Sequence, residues 1–181
     1  AGNACYKHGR FDESIDWYQK SLLEAHSDPV KKRLKKAQAL KKKEAEEAYL
    51  DPAKAAEAKA RGNDLFKEGK FADAVKEYSD AIKRDPTNAV YYANRAAALT
   101  KLADFARAKE DCNKSLEIEP KYVKAFTRRG AIEFFMKEYH RALDTYKAAL
   151  EIDPENQECK DGLARTMNAV RMQSGEANQE R

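Results

Sequence analysis

Three prolines, Pro86, Pro120 and Pro154, stand 34 residues apart, and the sequence around them keeps the same interval. Aligning the segments that start at Ala55, Ala89 and Val123 puts Gly62, Ala96 and Gly130 at the eighth position. Ala74, Ala108 and Ala142 fall at the twentieth, Tyr78, Cys112 and Tyr146 at the twenty-fourth, and Ala81, Ser115 and Ala149 at the twenty-seventh. A period of this length constrains the fold before any element is assigned. Each unit is one supersecondary motif that buries its apolar face only by stacking on its neighbours. Small residues at three positions let two helix backbones approach closely, a large one packs beside them, and a closing proline cannot continue the preceding helix. Each unit therefore reads as helix, turn, helix, with helices predicted over 55–68 and 71–84, 89–102 and 105–118, and 123–136 and 139–152.

Composition agrees with an all-α chain. Of 181 residues 42% are hydrophobic and 36% charged, with 7 Gly and 5 Pro, which argues against a β-sandwich, a collagenous repeat or a Pro/Gly-rich disordered chain. No apolar run approaches the ~18 residues that a membrane span needs. The opening AGNACYKHGR lacks the apolar stretch of a secretory signal. Cys5, Cys112 and Cys159 are odd in number and form no CxxC, which predicts free thiols in a reducing, cytoplasmic compartment, with nuclear shuttling open.

The flanks extend the pattern. Asn156–Gln173, with Leu163, Met167 and Val170 on one face, is expected to cap the third unit, and the polar end 174–181 to be disordered. At the other end Gly2, Ser14, Tyr18 and Ser21 fit the eighth, twentieth, twenty-fourth and twenty-seventh positions, so residues 1–27 read as the end of a further unit. Asp28-Pro29 and Asp51-Pro52 are helix-start signals, an N-cap followed by proline at the first turn. They bound a helical connector over 28–51, with Leu34, Ala37, Leu40 and Ala48 toward a partner and Trp17, Tyr18 and Leu22 buried against it. Residues 53–173 form the module proper, divided at 55–88, 89–122 and 123–156. An orphaned partial unit before a connector predicts a fragment of a longer multi-module protein.

The eighth, twentieth, twenty-fourth, twenty-seventh and thirty-second positions carry the pattern of the tetratricopeptide (TPR) repeat. In that resemblance stacked units form a superhelix whose first helices line a concave groove. On the groove side Lys59, Asn63 and Phe66 share a helical face, as do Asn94, Ala97 and Lys101, and Lys124, Arg128 and Phe135. Ammonium groups, a guanidinium and two amide NH₂ groups, with no carboxylate among these positions, suit anionic oxygens. The text KARGN, YYANR and KAFTR resembles the dicarboxylate clamp of TPR co-chaperones. That resemblance implies that Lys59, Asn63, Asn94, Lys124 and Arg128 hold a C-terminal aspartate. It implies that Lys101 contacts acidic residues upstream and that Phe66, Ala97 and Phe135 line side-chain pockets. The run from Glu46 to Leu102 is similar to the Hsp-organising, or stress-induced phosphoprotein, family: the end of its second TPR module, the linker helix and the third module. The implied partners are the EEVD tails of heat-shock protein 70 and heat-shock protein 90, the implied role an adaptor in client transfer. No metal or cofactor is implied, and a monomer is expected. The clamp residues of the earlier module would precede Ala1, so one peptide site is expected and no charged groove in the first segment.

Two other classes compete. Catalysis lacks a signal: Cys112 occupies a packing position, His140 has no base or orienter nearby, nothing matches HExxH, and Gly62 to Gly69-Lys70 is too long for a P-loop. Nucleic-acid binding or nuclear targeting could use the run KKRLKKAQALKKK over 31–43. The chain has 35 Lys and Arg against 31 Asp and Glu, and eight of those cations lie in this run, so the remainder has 27 against 31. The basic excess is one local stripe without interleaved aromatics, which reads as a solvated helix face.

Overall fold

A computed structural model of the chain describes residues 1–24 and 28–179 and divides it into two units, Ala1–Leu50 and Asp51 onward. Residues 25–27, where the first segment was expected to end, and 180–181, the last of the expected tail, lie outside the described residues.

In the second unit three helix pairs follow one another: α4 (Pro52–Lys67) with α5 (Phe71–Arg84), α6 (Ala89–Lys101) with α7 (Phe105–Ile118), and α8 (Val123–Phe135) with α9 (Tyr139–Ile152); α10 (Gln157–Gln179) closes the series. Each helix packs on the next, and α6 also touches both α4 and α8, which brings the first helices of the three repeats side by side. The local signals act as the sequence indicates. Asp51 accepts from the Lys54 amide at 3.0 Å, and this bond holds its carboxyl below the ordinary carboxylate range. Asn88 and Asp104 cap α6 and α7 in the same way. Every turn inside a repeat passes through a left-handed residue at the fifteenth position: Gly69 at φ 77°, Ala103 at 58° and Lys137 at 60°.

The eighth position is small because the twenty-fourth lies on top of it. A Cβ added to Gly62 would stand 2.7 Å from the Tyr78 ring, and one on Gly130 would stand 2.7 Å from Tyr146. In the second repeat the ring is replaced by Cys112, and there the helix tolerates Ala96; both are fully buried in one cluster with Leu99, Ala108 and Ile132. Tyr146 is clasped from the other side by Gly162 of α10, whose Cβ would also collide with the ring. The cap therefore seals the third repeat by the same device that joins helices within a repeat. The last helix continues to Gln179 rather than ending at Gln173. Polarity removes a reason for docking but does not stop a helix, and no proline intervenes after Pro154.

The first unit holds α1 (Gly2–Lys7), α2 (Phe11–Glu24) and α3 (Asp28–Tyr49). Tyr18 lies over Gly2, and Cys5, Ser14, Tyr18 and Ala37 are buried. The connector is a continuous helix that buries Ala37 and half-buries Leu34 and Leu40, while Ala48 is exposed. Trp17, expected to bury, is 50% exposed: the helix turn that buries Tyr18 points its neighbour to solvent, and Lys20 Nζ lies 5.9 Å from the indole centre.

Burial pushes the Tyr146 phenol and the Cys112 thiol each up to about 12, from ordinary values of 10.0 and 9.0. Between pH 9 and 12 the unfolded chain therefore releases protons that the folded chain keeps, so stability should fall as pH rises through that window. Urea denaturation at pH 8, 10 and 11 is expected to show the decline. In the same assay Gly62→Ala should destabilise by about 1–3 kcal/mol through overpacking against Tyr78. Ala96→Gly, facing Cys112, should lose about 1 kcal/mol by helix propensity alone.

Candidate functional site

The aligned first helices set a row of polar side chains along one face of the module. Tyr78 Oη donates to Asn63 Oδ1 at 2.8 Å, Asn94 Nδ2 donates to the same oxygen at 3.3 Å, and Arg128 Nη1 donates to Asn94 Oδ1 at 3.4 Å. Three repeats thus meet in one hydrogen-bonded chain. Because a phenol can donate and the oxygen can only accept, the Tyr78 bond turns the Asn63 NH₂ outward; among the described residues that NH₂ has no acceptor. Burial pushes the Tyr78 phenol up, and the positive field of Arg128 pulls it partly back. The same opposition acts at Tyr122, so Arg128 stands between two neutral phenols.

A pocket of about 200 Å³ opens over this chain, formed by Asn63, Tyr78, Asn94 and Arg128 together with Phe66, Ala97 and Lys67. Five of the nine residues singled out from the sequence therefore lie on one concavity. The others are placed around it. Lys59 is half-buried one turn before Asn63, Lys124 is exposed one turn before Arg128, and Lys101 is exposed at the end of α6. Among the described residues Lys59, Lys101, Lys124 and Arg128 pair with no carboxylate. Phe135 lines no part of this pocket: it is 59% exposed and stacks on Phe105 with centroids 5.8 Å apart.

Lys67 lines the pocket without having been singled out. It sits at the thirteenth position, like Lys101 and Phe135, so register alone could have nominated it. Its ion pair with Asp64, at 3.3 Å, joins side chains that are 76% and 70% exposed, a pairing that solvent screens.

Other arginines of the same helices are committed elsewhere. The seventh position pairs within its own repeat with the twenty-third: Arg61 with Glu77, Arg95 with Asp111 through two bonds of 2.8 and 2.7 Å, and Arg129 with Thr145. Arg129 also lies 3.7 Å from the buried carboxylate of Glu133, which accepts from Thr145 at 2.6 Å. Of the adjacent pair Arg128-Arg129, only Arg128 is left for the pocket. The site as built is a set of cations and amide donors with an apolar wall, suited to a carboxylate carried next to an aliphatic side chain.

The TPR repeat family matches residues 62–102, and tetratricopeptide-repeat families match 89–122 and 123–156. The heat shock protein sti1 homolog of Schizosaccharomyces pombe is 45% identical over 83 residues, which is 46% of this chain and 14% of that protein. The chain thus spans about one-seventh of the curated relative that it matches. Among solved structures, the TPR2AB domain of yeast Sti1 in complex with an Hsp90 peptide superposes with a TM-score of 0.89 at 38% identity, covering 92% of this chain and 67% of that one. The TPR2B domain of yeast Sti1 in complex with an Hsp70 peptide gives a TM-score of 0.63 at 37% identity, covering 65% of this chain and 98% of that one.

Because their side chains are only half-buried, outside the apolar core, and held by long hydrogen bonds, Arg128→Ala and Asn94→Ala should each shift unfolding free energy by no more than about 1 kcal/mol. Tyr78→Phe, which leaves the ring on Gly62 and removes only the hydroxyl, should lose about 0.5–1.5 kcal/mol. Thermal denaturation followed by circular dichroism checks both; unfolding of Arg128→Ala would make that residue structural.

Proposed function

The chain belongs to the tetratricopeptide-repeat family of Hsp70-Hsp90 organising proteins, and from that premise we propose that its module is a co-chaperone adaptor for the acidic C-terminal tail of an Hsp70- or Hsp90-type chaperone. The observation that carries this reading is the hydrogen-bonded row Tyr78–Asn63–Asn94–Arg128, flanked by Lys59 and Lys124, which have no carboxylate partner among the described residues. A terminal aspartate brings two carboxylates within one residue. Asn63 and Asn94 supply directional N–H donors, and Lys59, Lys124 and Arg128 supply charge. The 3.3 and 3.4 Å bonds that link the amides to one another and to Arg128 are long and yield readily to a stronger acceptor. Phe66 and Ala97 offer the wall for an adjoining aliphatic side chain, and Lys67 and Lys101 extend the positive field toward further acidic residues. Phe135, stacked on Phe105, offers apolar surface farther along the same face.

An adaptor fits better than a catalyst. Burial holds the Cys112 thiol protonated, which suits packing and not nucleophilic attack. Among the described residues no group of His, Cys, Asp and Glu is arranged to hold a metal ion, and no helix is long and apolar enough to cross a membrane. Three free, buried cysteines suit a reducing, cytoplasmic compartment. The basic stripe of the connector is partly satisfied by its own helix and its neighbour, through Lys31–Asp28, Lys41–Asp12, Lys42–Glu46 and Lys43–Glu47, which weighs against a nucleic-acid surface there.

The proposal is tested by calorimetric titration with a peptide ending in EEVD. Arg128→Ala should weaken binding at least tenfold, the loss of one charge-assisted bond of about 1.5–3 kcal/mol, and Lys124→Ala with Arg128→Ala should abolish measurable heat. Unchanged affinity in the double variant would sink the assignment.

A further inference from the structure

The two junctions between repeats of the module are built differently at the same register. Where the second repeat stacks on the first, the twenty-first position of the earlier unit is Val75 and the eleventh of the later one is Leu99, and both belong to one apolar cluster. Where the third stacks on the second, those two positions hold Lys109 and Glu133. Lys109, on α7, is 19% exposed; its Nζ lies 3.8 Å from Glu133, on α8, and pairs with Glu138 at the start of α9. The Glu133 carboxylate is 5% exposed and also accepts from Thr145 at 2.6 Å.

The arginines at the seventh position differ in parallel. Arg95 is gripped by Asp111 through two bonds and reaches Ser79 of the preceding repeat at 2.9 Å. Arg129 finds Thr145 where Arg95 finds a carboxylate, and its bonds to Thr145 and to Asn113 of the preceding repeat are longer, at 3.2 and 3.3 Å. The anion for Arg129 stands one turn along its own helix, at Glu133, and Lys109 accompanies it. Exchanging an apolar pair for a buried ion pair adds little stability, because desolvation offsets the attraction. It adds direction. An apolar contact tolerates rotation of one helix against another, whereas charge-assisted bonds hold over a narrow range of distance and angle. Arg128 and Arg129 are adjacent, about 100° apart around α8, so whatever fixes Arg129 and Glu133 fixes where Arg128 leaves the helix. On the groove side Arg128 is tied to α6 by a single 3.4 Å bond to Asn94.

We propose that Lys109 and Glu133, which line no part of the pocket, are positioning residues that hold α8 so that Lys124 and Arg128 meet Asn94 across the second junction. The inference rests on the proposed function and names what orients its cations.

The test installs the apolar pair of the first junction, Lys109→Val with Glu133→Leu, which leaves the net charge unchanged. Arg129 keeps Asn113 and Thr145, and Glu138 keeps Arg141. Calorimetric titrations use two peptides ending in EEVD, one with a free C-terminus and one amidated. The variant should melt no lower than the parent, bind the free peptide at least about fivefold more weakly and bind the amidated one within about twofold of the parent. A merely structural role would lower the melting temperature and weaken both peptides alike, and that result overturns the proposal. Lys114→Gln with Glu117→Gln, a neutral change to an exposed pair on the same helix, should leave both affinities within about twofold; a loss equal to that of the exchange would reduce the effect to local charge and overturn it. A parent protein that does not distinguish the two peptides overturns the proposed function and this inference with it, whereas discrimination that survives the exchange overturns this inference alone. Should the exchange fail to fold, Lys109→Met, which leaves Glu133 to Arg129 and Thr145, should show the same selective loss, and Lys109→Arg, which keeps the ion pair, should bind as the parent does. Equal binding by those two variants overturns the proposal.

Discussion

The contact between a missing side chain and a ring underlies both the fold and the site. Where the eighth residue of a repeat is glycine, the tyrosine sixteen residues later lies flat on the helix backbone, and no Cβ fits between them. This close approach fixes the distance between paired helices, and so the placement of the next repeat. It also aims the tyrosine hydroxyl. On Gly62 the Tyr78 ring is carried far enough to reach Asn63, one residue beyond the glycine, and the hydroxyl sets which way that amide faces. Packing and recognition are therefore joined in one side chain. The second repeat lacks the ring and has Ala97 where the first has Asn63, while Tyr146 of the third spends its reach against Gly162 of the capping helix.

Charge is sorted by the same periodicity. Cations at the seventh position are neutralised within their own repeat: Arg61 by Glu77, Arg129 by Glu133 of its own helix, and Arg95 by a bidentate carboxylate that is 9% exposed. Lys124, Lys59 and Arg128, at the second, fifth and sixth positions, lie on the groove side and meet no carboxylate among the described residues. Such unpaired charges repel one another, a modest cost at exposed positions in water and salt. The arrangement keeps the groove in a state that a dianionic ligand improves, while the stability of the helices rests on alanine, glycine and tyrosine packing.

Much of this was legible in the sequence because the repeat reports three-dimensional neighbours as fixed intervals. The three helix pairs and their turns follow from register; of the five residues that the resemblance nominated, Asn63, Asn94 and Arg128 line the pocket, and Lys59 and Lys124 stand one turn before it. What register does not carry is which rotamer a side chain takes and which non-local neighbour claims it. Phe135 shares a helical face with Arg128, yet Phe105, the first residue of α7 in the preceding repeat, offers it a stacking partner, so it leaves the pocket. Lys67 was hidden because an exposed lysine beside an aspartate looks like ordinary surface. Trp17 was expected to be buried because it is large and apolar, whereas a helix can turn only one of two adjacent residues inward, and Tyr18 has the glycine to lie on.

In the proposed function the module reads a free chain terminus, with the asparagine amides and the Lys and Arg cations acting on its carboxylates. That role is tested most directly by titrating the protein with two peptides ending in EEVD that differ only at the last atom group, one with a free C-terminal carboxylate and one amidated. Removing one carboxylate from among fixed donors forfeits charge-assisted bonds of about 1.5–3 kcal/mol each, so the amidated peptide should bind at least tenfold more weakly. Equal affinity for the two peptides would contradict the account and reduce the groove to a general acidic-peptide surface.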